Sequence, residues 1–170
     1  MNNNIAVIPA RAGSKRIPRK NIIEFNGKPM IAWTIEAAKK SKMFSKILVS
    51  TDCEEIAAIS REFGADAPFL RRGFSDDYTP PGEATYDSLL QAEEYWEVEF
   101  KTVTQLMANC PLRTAKDIIN FHTEFFERGG DFLLSCFKFG WMNPWWAFKL
   151  DEHQKHSFLF ADALKQRSQD

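Results

Sequence analysis

Ile5-Ala6-Val7-Ile8-Pro9 runs directly into Ala10-Arg11-Ala12-Gly13-Ser14-Lys15-Arg16-Ile17-Pro18-Arg19-Lys20-Asn21. The first five residues are apolar and rich in branched side chains, then stop at a proline. A short continuous apolar run bounded by turn residues reads as a strand buried on both faces. The second stretch is small and basic. From Arg11 to Lys20 it holds five cations and no acid, in a chain of net charge −1, so the remainder carries −6. A neutral protein has gathered positive charge in one loop at the carboxyl end of a strand. Small residues let a backbone approach an anion, and Arg and Lys supply charge-assisted hydrogen bonds to phosphate. The spacing is neither GxxxxGK[ST] nor GxGxxG, so this is not a P-loop or a dinucleotide fingerprint.

Outward from that loop, strands and helices alternate. Ile31, Ile35 and Ala38 mark a helix over 28–42. Residues 46–50, centred on Ile47-Leu48-Val49, read as a second buried strand. Thr51 and Asp52 precede Glu54 and Glu55 by three residues, a capping-box pattern opening a helix with Ile56, Ile59 and Phe63 on one face and Gly64 at its end. Residues 67–70 read as a short third strand and 71–82 as a loop. Tyr86, Leu89, Leu90 and Trp96 mark a helix, and 102–107 a strand broken by Asn109-Cys110-Pro111. Ile118, Ile119, Phe125 and Phe126 mark a helix ending at Gly129-Gly130, and 132–136 reads as another strand. This alternation predicts an α/β domain with a mainly parallel sheet, whose ligands bind beyond the carboxyl ends of the strands.

The 170 residues suffice for a core, with 44% hydrophobic and 26% charged residues. With 22 Lys+Arg against 23 Asp+Glu, no global field selects nucleic acid or an acidic membrane. Cys53, Cys110 and Cys136 stand apart, which disfavours a disulfide framework or zinc site and suits a reducing cytoplasm. No signal peptide opens the chain, and no apolar run reaches the ~18–20 residues of a membrane span.

Other candidate groups sit at later strand ends: Ser50-Thr51-Asp52, Arg71-Arg72, Asp76-Asp77, and 109–113. Asp52 is equally a helix cap, and Asp76-Asp77 fits a turn better than a metal pair. His122 reads as a core-edge histidine. His153 and His156 have helical spacing without a third ligand. Trp141, Trp145, Trp146 and Phe148 around Asn143-Pro144 suit either a core or a partner surface.

Residues 8–21 resemble the signature of the acylneuraminate cytidylyltransferases, the CMP-sialic acid synthetase family. Asn26-Gly27-Lys28-Pro29, Val49-Ser50-Thr51-Asp52, Pro68-Phe69-Leu70-Arg71 and Cys110-Pro111-Leu112-Arg113-Thr114 follow in the family's order. The resemblance implies a three-layer Rossmann-like nucleotidyltransferase fold with a dimerisation arm. The core would be 1–136 and the arm 137–170, with the family's C-terminal core segment absent. It implies a Mg2+-dependent transfer of CMP from CTP to a nonulosonic, sialic-type 2-keto sugar acid, with release of pyrophosphate. Arg11, Lys15 and Lys20 would be catalytic. Ala10, Arg11, Gly13, Ser14, Lys15, Asn21 and Arg71 would bind the nucleotide, and Asn109 and Arg113 the sugar acid. No metal ligand is assigned. Met107 stands where many sialic acid members carry glutamine, which widens the expected sugar to pseudaminic or legionaminic types. The loop 79–83 departs from a small-residue stretch near the family's cytosine pocket. The resemblance further implies a cytoplasmic homodimer acting on small molecules, with no nucleic acid or membrane partner. The alternatives are a non-catalytic nucleotide-binding or dimerising remnant, or a sugar nucleotidyltransferase using another base or a 3-deoxy octulosonic acid.

Overall fold

The computed structural model describes residues 3–14, 17–73, 80–136, 144 and 147–162. The chain divides into two compact units, Met1–Asp131 and Phe132–Asp170.

In the first unit, strand β1 (Asn4–Pro9) lies between β4 (Lys46–Ser50) and β5 (Thr102–Gln105), parallel to both. The register pairs Pro9 with Ser50 on one side and Val7 with Gln105 on the other. As the centre of a parallel sheet, β1 is covered on both faces, hence its unbroken apolar run. Ala6 and Ile8 pack with Val49 against Ile31, Ile35, Ile56 and Ile118, which belong to helices α1 (Met30–Ser41), α2 (Glu54–Glu62) and α4 (Ala115–Arg128). Ile5, Val7 and Leu48 face the other way, against Ala92 of helix α3 (Pro81–Trp96) and Phe100. The result is three layers. Ile5, Ile8, Ile31, Ile35 and Leu48 are fully buried, each stabilising the fold by roughly 1.5–3 kcal/mol relative to exposure.

Several elements differ from the sequence expectation. The first two residues expected in the helix over 28–42 instead belong to a hairpin: β3 (Lys28–Pro29) pairs antiparallel with β2 (Glu24–Phe25), and α1 begins at Met30. Asn26 (φ 51) and Gly27 (φ 84) make its two-residue turn, where both positions need left-handed backbone. The third strand over 67–70 does not form. A single parallel bridge, Leu48 to Asp66, takes its place, since Pro68 has no N–H to extend a ladder. The capping box expected at 51–55 is absent: Cys53 is the N-cap of α2, with no side-chain cap. The box occurs instead at α4, where Thr114 and Asp117 cap each other. Helix α3 starts at Pro81, inside the expected loop, and β5 ends at Gln105 rather than residue 107. Gly64 (φ +87) closes α2 as expected, and Gly129 (φ 62) closes α4.

In the second unit, residues 132–136 form no strand, and Phe132 and Leu134 are exposed. An apolar alternation there has no ladder to join among the described residues. β6 (Phe148–Leu150) and β7 (His156–Phe158) form a hairpin. Its turn is held by the Asp151 carboxylate, which accepts from the backbone N–H of His153 and of Lys155, each at 2.9 Å. His153 therefore lies in a turn and His156 in a strand, not on one helix face. Trp141, Asn143, Trp145 and Trp146 lie outside the described residues, and Phe148 is half exposed.

Candidate active site at the carboxyl rim of the sheet

The basic loop leaves β1 at the sheet's carboxyl end and is tied down by its neighbours. The Ala10 N–H donates to the Ser50 carbonyl (2.9 Å), extending the β1–β4 ladder by one residue. The Ala12 N–H then donates to Asp52 Oδ1 (2.8 Å). Asp52 thus fastens the loop rather than capping α2. Asn21 closes the loop from its far end: its Nδ2 donates to the Arg11 carbonyl (3.0 Å), and its side chain is buried. Its own carbonyl accepts from the Ile31 N–H (2.8 Å), which fixes the loop to the start of α1. Between these anchors Arg19 adopts left-handed backbone (φ 55) and pairs with Glu55 of α2.

Arg71 reaches the same rim. Its backbone N–H donates to the Thr51 carbonyl (2.8 Å), its side chain is buried, and its Nε has no hydrogen-bond partner. Burial lowers its pKa, the Asp52 and Asp87 carboxylates raise it, and Arg11 lowers it. Arginine stays charged through such shifts. Arg11, Asp52, Arg71 and Asp87 therefore form one electrostatic cluster around the end of β4. A buried guanidinium with an unpartnered Nε suits a charged oxygen ligand.

Helix α3 supplies groups that the sequence reading did not single out. Asp87 accepts from Gln91 Nε2 one turn on, an i,i+4 pair visible in the sequence. The Ser88 and Ser50 hydroxyls are hydrogen bonded (2.6 Å), and the Thr85 hydroxyl is hydrogen bonded both to the Pro81 carbonyl and to the Gln105 side-chain amide, each at 2.8 Å. These contacts seat the first two turns of α3 over the ends of β4 and β5.

The remaining expected residues are placed as follows. Gly13 is exposed, Ser14 and Lys20 are half-buried, and Lys15 lies outside the described residues, as do Asp76, Asp77 and Thr79. Asn109 is exposed after β5. Arg113 donates to the Met107 carbonyl (3.3 Å), and the Thr34 hydroxyl donates to the same oxygen (3.1 Å). Asn109 and Arg113 thus follow β5 on its side of the rim. His122 is almost fully buried between Phe44 and Phe126, beside Thr104, on the α4 face and away from this cluster.

No three His, Cys, Asp or Glu side chains gather as a metal site among the described residues. Magnesium keeps most of its ligands as water and phosphate oxygen, so one or two carboxylates suffice for a metal carried on a nucleotide. Among the described residues, Asp52 and Asp87 are carboxylates that act on Arg71 at this rim. No helix is long and apolar enough to cross a membrane among the described residues.

Comparison with known proteins agrees with this geometry. The cytidylyltransferase family model matches residues 5–137. Pseudaminic acid cytidylyltransferase of Campylobacter jejuni (strain 81-176) is 37% identical over 168 residues, which is 98% of this chain and 72% of that protein. CMP-N,N'-diacetyllegionaminic acid synthase of Legionella pneumophila is 41% identical over 114 residues, 67% of this chain and 49% of that one. Among solved structures, a CMP:2-keto-3-deoxy-manno-octonic acid synthetase complexed with CTP superposes with a TM-score of 0.61 at 25% identity. That superposition covers 74% of this chain and 48% of that one, so the chain spans about half the length of the solved relative.

Proposed function

Because this chain belongs to the cytidylyltransferase family, we propose that it transfers CMP from CTP to a nonulosonic 2-keto sugar acid and releases pyrophosphate. The observation that carries this reading is the tethered basic loop, fixed at Ala12 by Asp52 and set beside the buried Arg71. Relatives named for pseudaminic, legionaminic and N-acylneuraminic acids support the substrate class.

A sugar hydroxyl attacks the α-phosphorus of CTP. The new P–O bond forms as the bridging P–O bond to the pyrophosphate breaks, and the hydroxyl gives up its proton. Charge spreads over the phosphate oxygens, so positioning and fixed positive charge supply most of the acceleration. The Ala10–Ser14 backbone and the side chains of Arg11, Ser14, Lys15 and Lys20 hold the triphosphate. Asn21 sets the loop's shape through Arg11, and Arg71 offers its guanidinium to the nucleotide. Asn109 and Arg113 receive the sugar acid on the β5 side. Mg2+ carried on the nucleotide would neutralise phosphate charge, and Asp52 and Asp87 would be the residues to help hold it.

The second unit is the dimerisation arm in this reading, since Phe148, Leu150, Phe158, Leu159 and Phe160 present apolar surface. The protein acts in the cytoplasm, where CTP is available. Sedimentation as a monomer at micromolar concentration would count against the dimer.

Pyrophosphate release with each of the four nucleoside triphosphates, against pseudaminic, legionaminic, N-acetylneuraminic and 3-deoxy octulosonic acids, tests the reaction. Turnover is expected with CTP and a nonulosonic acid. CTP binding by calorimetry without turnover on any acid would overturn it in favour of a non-catalytic nucleotide-binding protein.

A further inference from the structure

Gln105 is the last residue of β5 and its side chain is exposed. It pairs with Val7 across the sheet, which puts it on the α3 face at the carboxyl rim. It is a polar amide on the face whose buried residues include Val7 and Leu48. One end of it lies 2.8 Å from the Thr85 hydroxyl, whose single proton is shared with the Pro81 carbonyl one turn back, also at 2.8 Å. The other end is not well used: Nε2 faces the Met107 sulfur at 3.6 Å, a weak acceptor. An amide held at one end and carrying an under-used donor at the other is pre-oriented for a ligand oxygen.

The layout of the rim says which ligand. The anion-binding groups, from the Ala12 tether to Arg71, cluster at the ends of β1 and β4. β5 lies on the opposite side of β1. A substrate that attacks the nucleotide's phosphate must approach from the side the nucleotide does not fill. Met107 and Arg113, joined through the Met107 carbonyl, sit on that same side.

We propose that Gln105 is a specificity-determining residue whose amide N–H donates to an acceptor oxygen of the sugar acid, with Thr85 holding the amide in place. The proposal rests on the reaction proposed above. It makes the sugar acid, not CTP, the substrate that senses Gln105. Because a site built to donate a hydrogen bond discriminates sharply against ligands lacking the acceptor, Gln105 and its Thr85 support bias the choice among related acids.

Gln105→Leu keeps an exposed strand end and removes the amide. Gln105→Glu keeps the shape and sets a carboxylate against an acidic substrate. Thr85→Val removes the anchor and leaves Gln105 in place. Dissociation constants for the sugar acid and for CTP are measured by calorimetry on each variant, alongside KM and kcat, with melting curves to verify folding. Gln105→Leu is expected to weaken sugar-acid binding and raise its KM about ten-fold, with CTP constants within about two-fold. Gln105→Glu is expected to weaken it further, and Thr85→Val by about three-fold. Unchanged sugar-acid constants in folded Gln105→Leu and Gln105→Glu overturn the proposal, as does an equal loss for CTP. Wild-type protein that binds the sugar acid without turnover overturns the proposed reaction alone, because the binding constants still read Gln105. Wild-type protein that binds no sugar acid overturns both.

Discussion

The Ala12 N–H and the Asp52 carboxylate meet at 2.8 Å although forty residues separate them. The hydrogen bond joins the loop after β1 to the residue just beyond β4, so the shape of the basic loop is set by its neighbour strand. Asp52→Ala is expected to free the loop and weaken CTP binding about ten-fold, while Asp52→Asn, which retains an acceptor, loses less. Calorimetric titration of CTP into the folded variants measures this. Equal affinity in Asp52→Ala and wild type would show the tether to be dispensable.

Arg71 presents a buried guanidinium with an unpartnered Nε, within the field of Asp52 and Asp87. Arg71→Lys keeps the charge and loses the planar fork, so it is expected to recover little of the activity lost in Arg71→Ala. A fall in kcat/KM of about a hundred-fold is expected for Arg71→Ala, corresponding to roughly 2.7 kcal/mol of transition-state stabilisation. Full rescue by lysine would reduce Arg71 to a point charge.

His122 carries a pH dependence. Burial lowers its pKa from 6.5, so the folded state favours the neutral ring. Below about pH 6.5 the unfolded chain takes up a proton that the folded chain resists, and unfolding is favoured. Stability therefore falls as pH drops from 6.5 toward the lowered folded-state value and is unaffected by this residue above 6.5. Urea midpoints at pH 5 and pH 7 are expected to differ more in wild type than in His122→Leu. The same difference in both would remove His122 as the cause.

Gly64 turns the chain out of α2 at φ +87, and a Cβ there would sit 2.1 Å from Lys39 Nζ. That ammonium donates to the Phe63 carbonyl at the helix end (3.0 Å). Its side chain is flexible enough to yield, so the backbone conformation sets most of the cost of Gly64→Ala, about 1–2 kcal/mol. Denaturant melts of Gly64→Ala and of Lys39→Met/Gly64→Ala separate the two terms. A smaller loss in the double variant than in the single would give Lys39 the larger part.

The parts of this molecule that follow from local pattern could be read in advance. Residues 5–9 and 46–50 are buried on both faces, so their composition alone declares them strands, and Gly64 and Gly129 mark helix ends because only left-handed backbone fits there. The misread positions depend on distant partners. Asp52 has the spacing of a helix cap, but the N–H it accepts from belongs to Ala12. Residues 67–70 have a strand's composition, but Pro68 leaves a single bridge at Asp66. Asp87 and Gln105 stand in no sequence motif, since nothing in their neighbours names Arg71 or Thr85. The hairpin at 24–29 carries a local signal as well: Asn26-Gly27 is the strongest two-residue turn pair, and it stands just before the helical spacing of 28–42.

The position of β1 in the middle of the sheet also sets an order of assembly. Its ladder with β4 needs only the first 50 residues, whereas its ladder with β5 waits for residues 102–105. Long-range parallel pairing is slow to form, and chains emerge from the ribosome from the amino end. The anion cradle can therefore take shape while the β5 flank is still being made. The loop after β1 is thus older, in the life of each molecule, than the flank that β5 completes.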